Sequence, residues 1–310
     1  MRITNNMLIN NMTYNLNGTL QRLEKLQYES SVGKKFRVPS DDPIGASKSL
    51  KFNTDISKVE QYIRNAKDAS SWMKETESAL KEINAVLHRA NELTVQAANG
   101  TNTEDLDKIK DEISELKGHL IQVANSTYAG RSLFTGFKTD KELLDSDGKY
   151  KENIELDEVF VYNVGVAETV KVNTLANRIF GSVKADGTAD YDSAAAQDSE
   201  AYLIKVFTDL EDALTSKDSD GIQKALGNIK DSMNQVLSVT AEIGAKSNRL
   251  ELTQSKLEDQ LITLNELLSF NEDVSLPDAM MRLAIEENIY RASLMVGSKI
   301  IQPSLMDFLR

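Results

Sequence analysis

Ile222, Ile229, Val236, Ile243, Leu250, Leu257 and Leu264 follow one another at seven-residue intervals without a break. A strict heptad over six repeats demands a long helix laid against partner helices, because that period returns one apolar stripe to one side every two turns. The stretch from Gly221 to Asn265 would make a rod of roughly 65 Å at about 1.5 Å per residue. That is too long for the core of a compact globule, so the rest of the chain has to pack against this rod or hang from it. The second seam is filled less strictly. Leu226, Met233 and Thr240 stand four residues after a heptad apolar, while Thr253, Gln260 and Leu267 stand three after one.

Two other stretches repeat the pattern near the ends of the chain. Ile9, Met12, Leu16, Leu23 and Leu26 alternate steps of three, four and seven, with Thr19 in the one missing seam place. Leu283, Tyr290, Leu294, Ile301 and Phe308 do the same, with Gly297 and Ser304 between them and Glu287 as a charged exception. The first of these is rich in Asn and holds Gly18, so its helix propensity is poor and alone it would be marginal. Gly33 followed by Lys34-Lys35 is a helix C-terminal signal. Asp42 before Pro43 reads as an N-cap with proline at the first helical position.

A long helix is expected from about Ile44 to Ala98, with Ile56, Val59, Ile63, Ala66, Met73, Leu80 and Leu87 on one seam. A turn at Asn99-Gly100 leads to a helix carrying Leu106, Ile109, Ile113, Leu116, Leu120 and Val123, ending near Asn125. After Phe137 the period changes. Ile154 and Leu156, Val159 and Val161, Val164 and Val166, and Val170 and Val172 alternate with polar residues, as half-buried strands do. Asp147-Gly148 and Asp186-Gly187 supply turns. Helix is expected again from Ser193 to Thr215, and an interruption from Ser269 to Pro277.

The fold class expected is therefore mainly α: a long antiparallel helical rod or coiled coil with an inserted small antiparallel β domain and terminal coiled-coil segments. The expected division is residues 1–42 and 271–310 as end segments, 43–137 with 201–270 as the rod, and 138–200 as the β insert.

Composition narrows the function. A net charge of −12 with no sustained basic stripe argues against nucleic-acid binding. Residues 138–200 hold fourteen acids against seven bases, which reads as a solvated outer surface, whereas residues 1–60 hold six acids and nine bases. There is no cysteine, hence no disulfide and no thiolate chemistry. No apolar run is long enough to span a membrane, and no cleavable signal peptide is visible. His88 and His119 each stand alone on a helix. The acidic clusters starting at Asp145 and Asp218 lack the Gly and Glu of a calcium loop and read as turns. No catalytic set and no cofactor site is expected.

Several motifs carry a family resemblance. Met1-Arg2-Ile3-Thr4-Asn5-Asn6-Met7 ahead of an amphipathic helix resembles the start of the flagellin superfamily. Pro39-Ser40-Asp41-Asp42-Pro43-Ile44-Gly45 resembles its hook-associated branch. Asn125 with Gly130, Leu133, Phe134 and Gly136 is similar to the segment leaving the first helical half of that branch. Ile243-Gly244-Ala245 with Asn248-Arg249-Leu250-Glu251 is similar to the return half. Asn288 to Leu294 and Ile300 to Leu309 are similar to the C-terminus. Pro277 departs from the family's continuous C-terminal helix.

The resemblance implies an extracellular axial protein of the bacterial flagellum at the hook–filament junction, exported through the flagellar type III apparatus. Its implied partners are copies of itself in a ring, hook-associated protein 1, flagellin, and an export chaperone on the C-terminal segment. No nucleic acid and no membrane insertion are implied. The terminal segments would be disordered until polymerised. The residues agree, since ordering so long a segment costs more entropy than its few seam apolars recover on burial. Ile9, Met12, Leu16, Leu23, Leu26, Leu283, Tyr290, Leu294, Ile301 and Phe308 are then the expected inter-subunit coiled coil. The heptad from Ile222 to Leu264 packs back inside the subunit. A flagellin-type filament subunit and an unrelated exported coiled-coil scaffold or adhesin are the alternatives.

Overall fold

A computed structural model describes residues 5–99, 103–184 and 186–301, without the side chains of 5, 6, 103, 104, 300 and 301. Long helices dominate: α1 (Asn5–Val32), α2 (Pro43–Ala98), α3 (Thr103–Ala124), a single-turn α4 (Asn177–Phe180), α5 (Tyr202–Ser216), α6 (Ser219–Glu272) and α7 (Leu276–Ile301). Two compact units divide the chain. The first holds residues 1–59 and 259–310, the second 60–258. Residues 43–59 and 259–270 thus cluster with the terminal helices, and 138–200 lies inside the second unit.

The helix ends follow from local chemistry. Asp42 caps α2 as the sequence predicts: its Oδ1 accepts from Gly45 N at 2.9 Å, with Pro43 at the first helical position. Gly33, at φ +76°, ends α1 with its N–H on Glu29 O. Asp218 caps α6 through its Oδ1 on Asp220 N (3.1 Å). The expected interruption at 269–277 shrinks to residues 273–275. Pro277 sits in the first turn of α7, where its missing N–H is not needed.

In the second unit, α2, α3, α5 and α6 share one core with the segment that follows α3. Leu80, Ile83, Leu87, Ile113, Leu120, Phe207, Leu210 and Ile229 are fully buried there. Polar side-chain contacts brace the helices from outside: the ion pairs Arg89 to Glu112 (2.6 Å) and Lys117 to Glu211 (2.8 Å), and His119 Nε2 at 3.0 Å from Glu82 Oε1. On α6, Ile222, Ile229, Val236, Ile243, Leu250 and Leu257 are buried and Leu264 half-buried. Its second seam differs from the expectation. Ala225, Ser232 and Val239 are buried, while Leu226, Met233 and Thr240 are only half-buried beside them. Smaller side chains let the neighbouring elements come close, so the larger residues are displaced to the flank.

The inserted segment carries less strand than its alternation predicts. One short antiparallel hairpin, β1 (Thr127–Tyr128) with β2 (Arg131–Ser132), precedes it, and the insert itself forms two more, β3 (Val161–Asn163) with β4 (Thr169–Lys171) and β5 (Ser182–Val183) with β6 (Ala189–Asp190). Ile154 makes only an isolated bridge to Ala195, and Val164 and Val166 lie outside the strands. Side chains take over from the ladder: Asn173 Oδ1 accepts from Phe160 N (2.7 Å) while its Nδ2 donates to Glu158 O (2.9 Å). Residues 193–201, expected to be helical, stay irregular around Asp198 at φ +62°, so α5 starts only at Tyr202. The core sides of these loops are nonetheless closed, with Tyr150, Phe134 and Phe180 fully buried. Tyr150 donates its hydroxyl to Gly181 O at 2.8 Å, and burial raises its pKa.

Candidate assembly interface

The terminal helices meet inside the first unit. Three links set the direction of their pairing: Lys34 bridges to Asp273, Arg22 reaches Glu286, and Met12 lies on Gly297. As one helix index rises the other falls, so α1 and α7 run antiparallel.

On α1, Ile9, Met12, Leu16, Leu23 and Leu26 are half-buried and Thr19 is buried. On α7 the inward positions are Ala279, Leu283, Glu286, Tyr290, Ser293 and Gly297, spaced by fours and threes. The structure therefore brings seven of the ten expected assembly residues to a seam within one chain. Leu294 departs from it: it is 43 % exposed, and Ser293 takes the inward place. Ile301 ends α7 with its side chain not described, and Phe308 lies outside the described residues.

This seam is close but lightly filled. A Cβ at Gly297 would overlap the Met12 Sδ–Cε end, so the glycine leaves room for that thioether against α7. Farther along, Arg22 Nε donates to Glu286 Oε1 at 2.5 Å, and Arg22 also reaches Thr19 Oγ1 at 3.1 Å. Glu286 is buried while Arg22 stays largely exposed, so the guanidinium compensates an acid that packing has removed from water. The heptad reading points to Glu287 as the seam acid. The structure turns Glu287 to the flank, within 4.0 Å of Arg291.

A clasp closes the far end of the pair. Lys35 N donates to Glu272 O (2.7 Å) and Val274 N to Gly33 O (2.9 Å), a short antiparallel splice between the two breaks in the helices. Lys34 Nζ lies 2.9 Å from Glu272 Oε2 and 2.7 Å from Asp273 Oδ1. The Asp273 carboxylate bonded to it raises the Lys34 pKa, and that ammonium in turn, helped by Ser269, lowers the pKa of Asp273. Asn271 Nδ2 donates to Gly45 O (2.8 Å) and Ser49 Oγ (2.7 Å), tying the end of α6 to the start of α2. Sequence periodicity misses Arg22, Glu286, Asn271 and the Lys34 clasp. Glu286, three residues after Leu283 and beside Glu287, is the local signal for one of them.

The outer faces of the same helices are apolar too. Met281, Ile285 and Ile289 form an exposed stripe at four-residue steps, continued by Val296 and flanked by Met280, Leu294 and Met295. On α1, Met7, Leu8, Tyr14 and Leu20 are exposed. A two-helix pair with apolar residues on both its inner and outer faces is built to be covered. As for other chemistry, no group of three or more His, Cys, Asp or Glu able to hold a metal exists among the described residues. No described helix is long and apolar enough to cross a membrane.

Comparison with known proteins agrees with this layout of two terminal helical halves. Residues 3–139 match the bacterial flagellin N-terminal helical region and residues 226–309 the bacterial flagellin C-terminal helical region. Flagellar hook-associated protein 3 of Escherichia coli is 26% identical over 287 residues, covering 89% of this chain and 90% of the relative. Flagellin of Bacillus subtilis is 30% identical over 307 residues, covering 94% of each. The crystal structure of flagellar hook associated protein-3 from Legionella pneumophila shares the fold, with a TM-score of 0.59 at 18% identity, covering 71% of this chain and 98% of that one. With both terminal halves matched and a relative aligned along nearly its whole length, the chain belongs to the flagellin superfamily of bacterial flagellar structural proteins.

Proposed function

We propose that this protein is a structural axial subunit of the bacterial flagellum, joining the hook-associated protein 1 layer to the flagellin filament. One observation carries the reading. A chain that aligns nearly end to end with hook-associated protein 3 presents a terminal helix pair with an uncovered apolar stripe, Met281, Ile285, Ile289 and Val296. Burying the exposed half of such side chains contributes about 1 kcal/mol each, and neighbouring subunits are the surfaces to bury them.

In this reading the segments 1–42 and 271–310 are the assembly segments, and copies of the chain form a ring. The inner seam from Ile9 to Leu26 and from Leu283 to Tyr290 aligns the two terminal helices. The outer stripe, with Leu294, Ile301 and Phe308, meets the next subunits. Export through the flagellar type III apparatus, with a chaperone holding the C-terminal segment, belongs to the same proposal. So does terminal order that becomes complete only on assembly.

Immunogold labelling of intact flagella tests the placement. A band confined to the hook–filament boundary is expected; label along the entire filament would favour a filament subunit instead. Circular dichroism of the dilute chain, compared with a chain lacking both ends, tests the ordering. Full helix from the termini in dilute monomer would contradict assembly-coupled folding.

A further inference from the structure

We infer that the terminal helices carry a methionine modification site, at which peroxide oxidation lowers the assembly competence of the free subunit. The chain has no cysteine, so the thioethers are its only sulfur nucleophiles toward a peroxide. They are unevenly placed. Met7, Met280, Met281 and Met295 of α1 and α7 are all more than half exposed, Met295 at 64 %, whereas Met73 in the core of the second unit is 1 % exposed.

The methionine sulfur attacks one oxygen of hydrogen peroxide and forms the S–O bond as the O–O bond breaks; the proton on the transferred oxygen passes to the leaving hydroxide, giving methionine sulfoxide and water. A flexible apolar side chain becomes polar. Because Met281 belongs to the outward stripe and Met280 and Met295 flank it, sulfoxides there put hydrogen-bonding oxygens on a surface whose value lies in being apolar. Met12 is a graded case. It is half-buried against Gly297, so it should react after the exposed four, and its sulfoxide oxygen would have to fit against Gly297 in the α1–α7 seam. The functional half of this inference rests on the assembly reading above; the chemical half does not.

The test uses the full chain, hydrogen peroxide as the only oxidant, and timed quenching followed by peptide mass spectrometry. Met7, Met280, Met281 and Met295 should be oxidised at least about tenfold faster than Met73, with Met12 between. Equal rates at Met73 and the terminal four would overturn the site. Assembly is then read by adding oxidised or untreated chain to flagella lacking this subunit and scoring incorporation. Oxidised wild type should incorporate several-fold less than untreated wild type and recover after treatment with methionine sulfoxide reductase and dithiothreitol, whereas peroxide should not lower the incorporation of an M7L/M280L/M281L/M295L variant below that variant's own untreated level, whatever that level is. Undiminished incorporation of chain oxidised at the four positions would overturn the functional half, as would equal loss in the variant. If untreated chain fails to incorporate at all, it is the assembly reading that falls, while the order of oxidation is still decided by mass.

Discussion

The two units use the same heptad pattern and reach opposite surfaces. In the second unit, a seam residue of α2 or α6 meets further helices and a loop layer, so Leu80, Leu87, Ile229 and Val236 are covered on every side. In the first unit α1 and α7 have mainly each other. Their large seam apolars stay half-buried, and among their buried residues are Thr19, Ala279 and Glu286. Among the described residues, most of the large exposed apolars lie in that unit as well. Two helices can shield one stripe apiece; a third and fourth neighbour are needed to shield the rest. The second unit finds those neighbours in its own chain, and the first leaves them to be supplied.

The sharpest way to break this comparison is to cut matching side chains from each unit and follow unfolding of the dilute chain in urea. Phe207→Ala should cost about 3–5 kcal/mol, because the ring is fully buried and leaves a cavity. Leu16→Ala in the half-buried terminal seam should cost about 1–2 kcal/mol. Equal losses would mean the terminal pair is as self-sufficient as the core. Arg22→Ala should cost about 1 kcal/mol, since Glu286 stays buried without its partner, discounted for the exposure of Arg22. Restoring the loss with Arg22→Ala/Glu286→Leu would identify the stranded acid as its cause.

A smaller effect follows pH. Asp273 has a folded pKa below its usual 3.8, so its share of the clasp is present above that value and lost as pH falls through the depressed one. Lys34 has a folded pKa above its usual 10.5, so its share is present below that value and lost as pH rises through the raised one. Asp273→Asn should flatten the acid limb of the first unit's stability profile and leave the second unit's unchanged, read by amide exchange in each. Smallest of all for the dilute chain is Ile285→Asp on the outer stripe. It should shift unfolding by no more than about 0.5 kcal/mol yet greatly reduce incorporation into flagella. A large loss of monomer stability would show that α7 has an inner neighbour on that face.

Much of this organisation was legible beforehand, and the places where it was not share a cause. Period and capping are local properties: the strict apolar spacing from Ile222 to Leu257, the Asp42-Pro43 start and the Gly33 stop each depend on residues within a turn or two. The α7 register was not legible, because that helix is apolar nearly all round. Leu283 and Tyr290 fit two stripes equally well, and Leu294 continues one of them as naturally as Ser293 and Gly297 continue the other. A search for large apolars chooses Leu294. Packing chooses Gly297, which leaves room for the Met12 thioether, and Glu286, which Arg22 can reach. The α6 seam through Ala225 and Ser232 is hidden in the sequence because small side chains fill it. In the insert, alternation paired apolar residues on one face, yet only Val170 and Val172 are both buried; Ile154 and Val164 turn inward while Leu156, Val161 and Val166 are exposed. It could not show that Asn173 and the turns would absorb backbone groups that a sheet would have paired.

The sequence by itself determined that long helices with continuous apolar stripes would form, where most of them begin and end, and that the ends of the chain carry weaker seams than its middle. Only the tertiary structure decided which of several possible stripes each terminal helix turns inward, and hence which remains outside. A stripe is a property of one helix and is written in its spacing. A face is chosen between helices, by how near two backbones can come and whether a buried charge finds its partner.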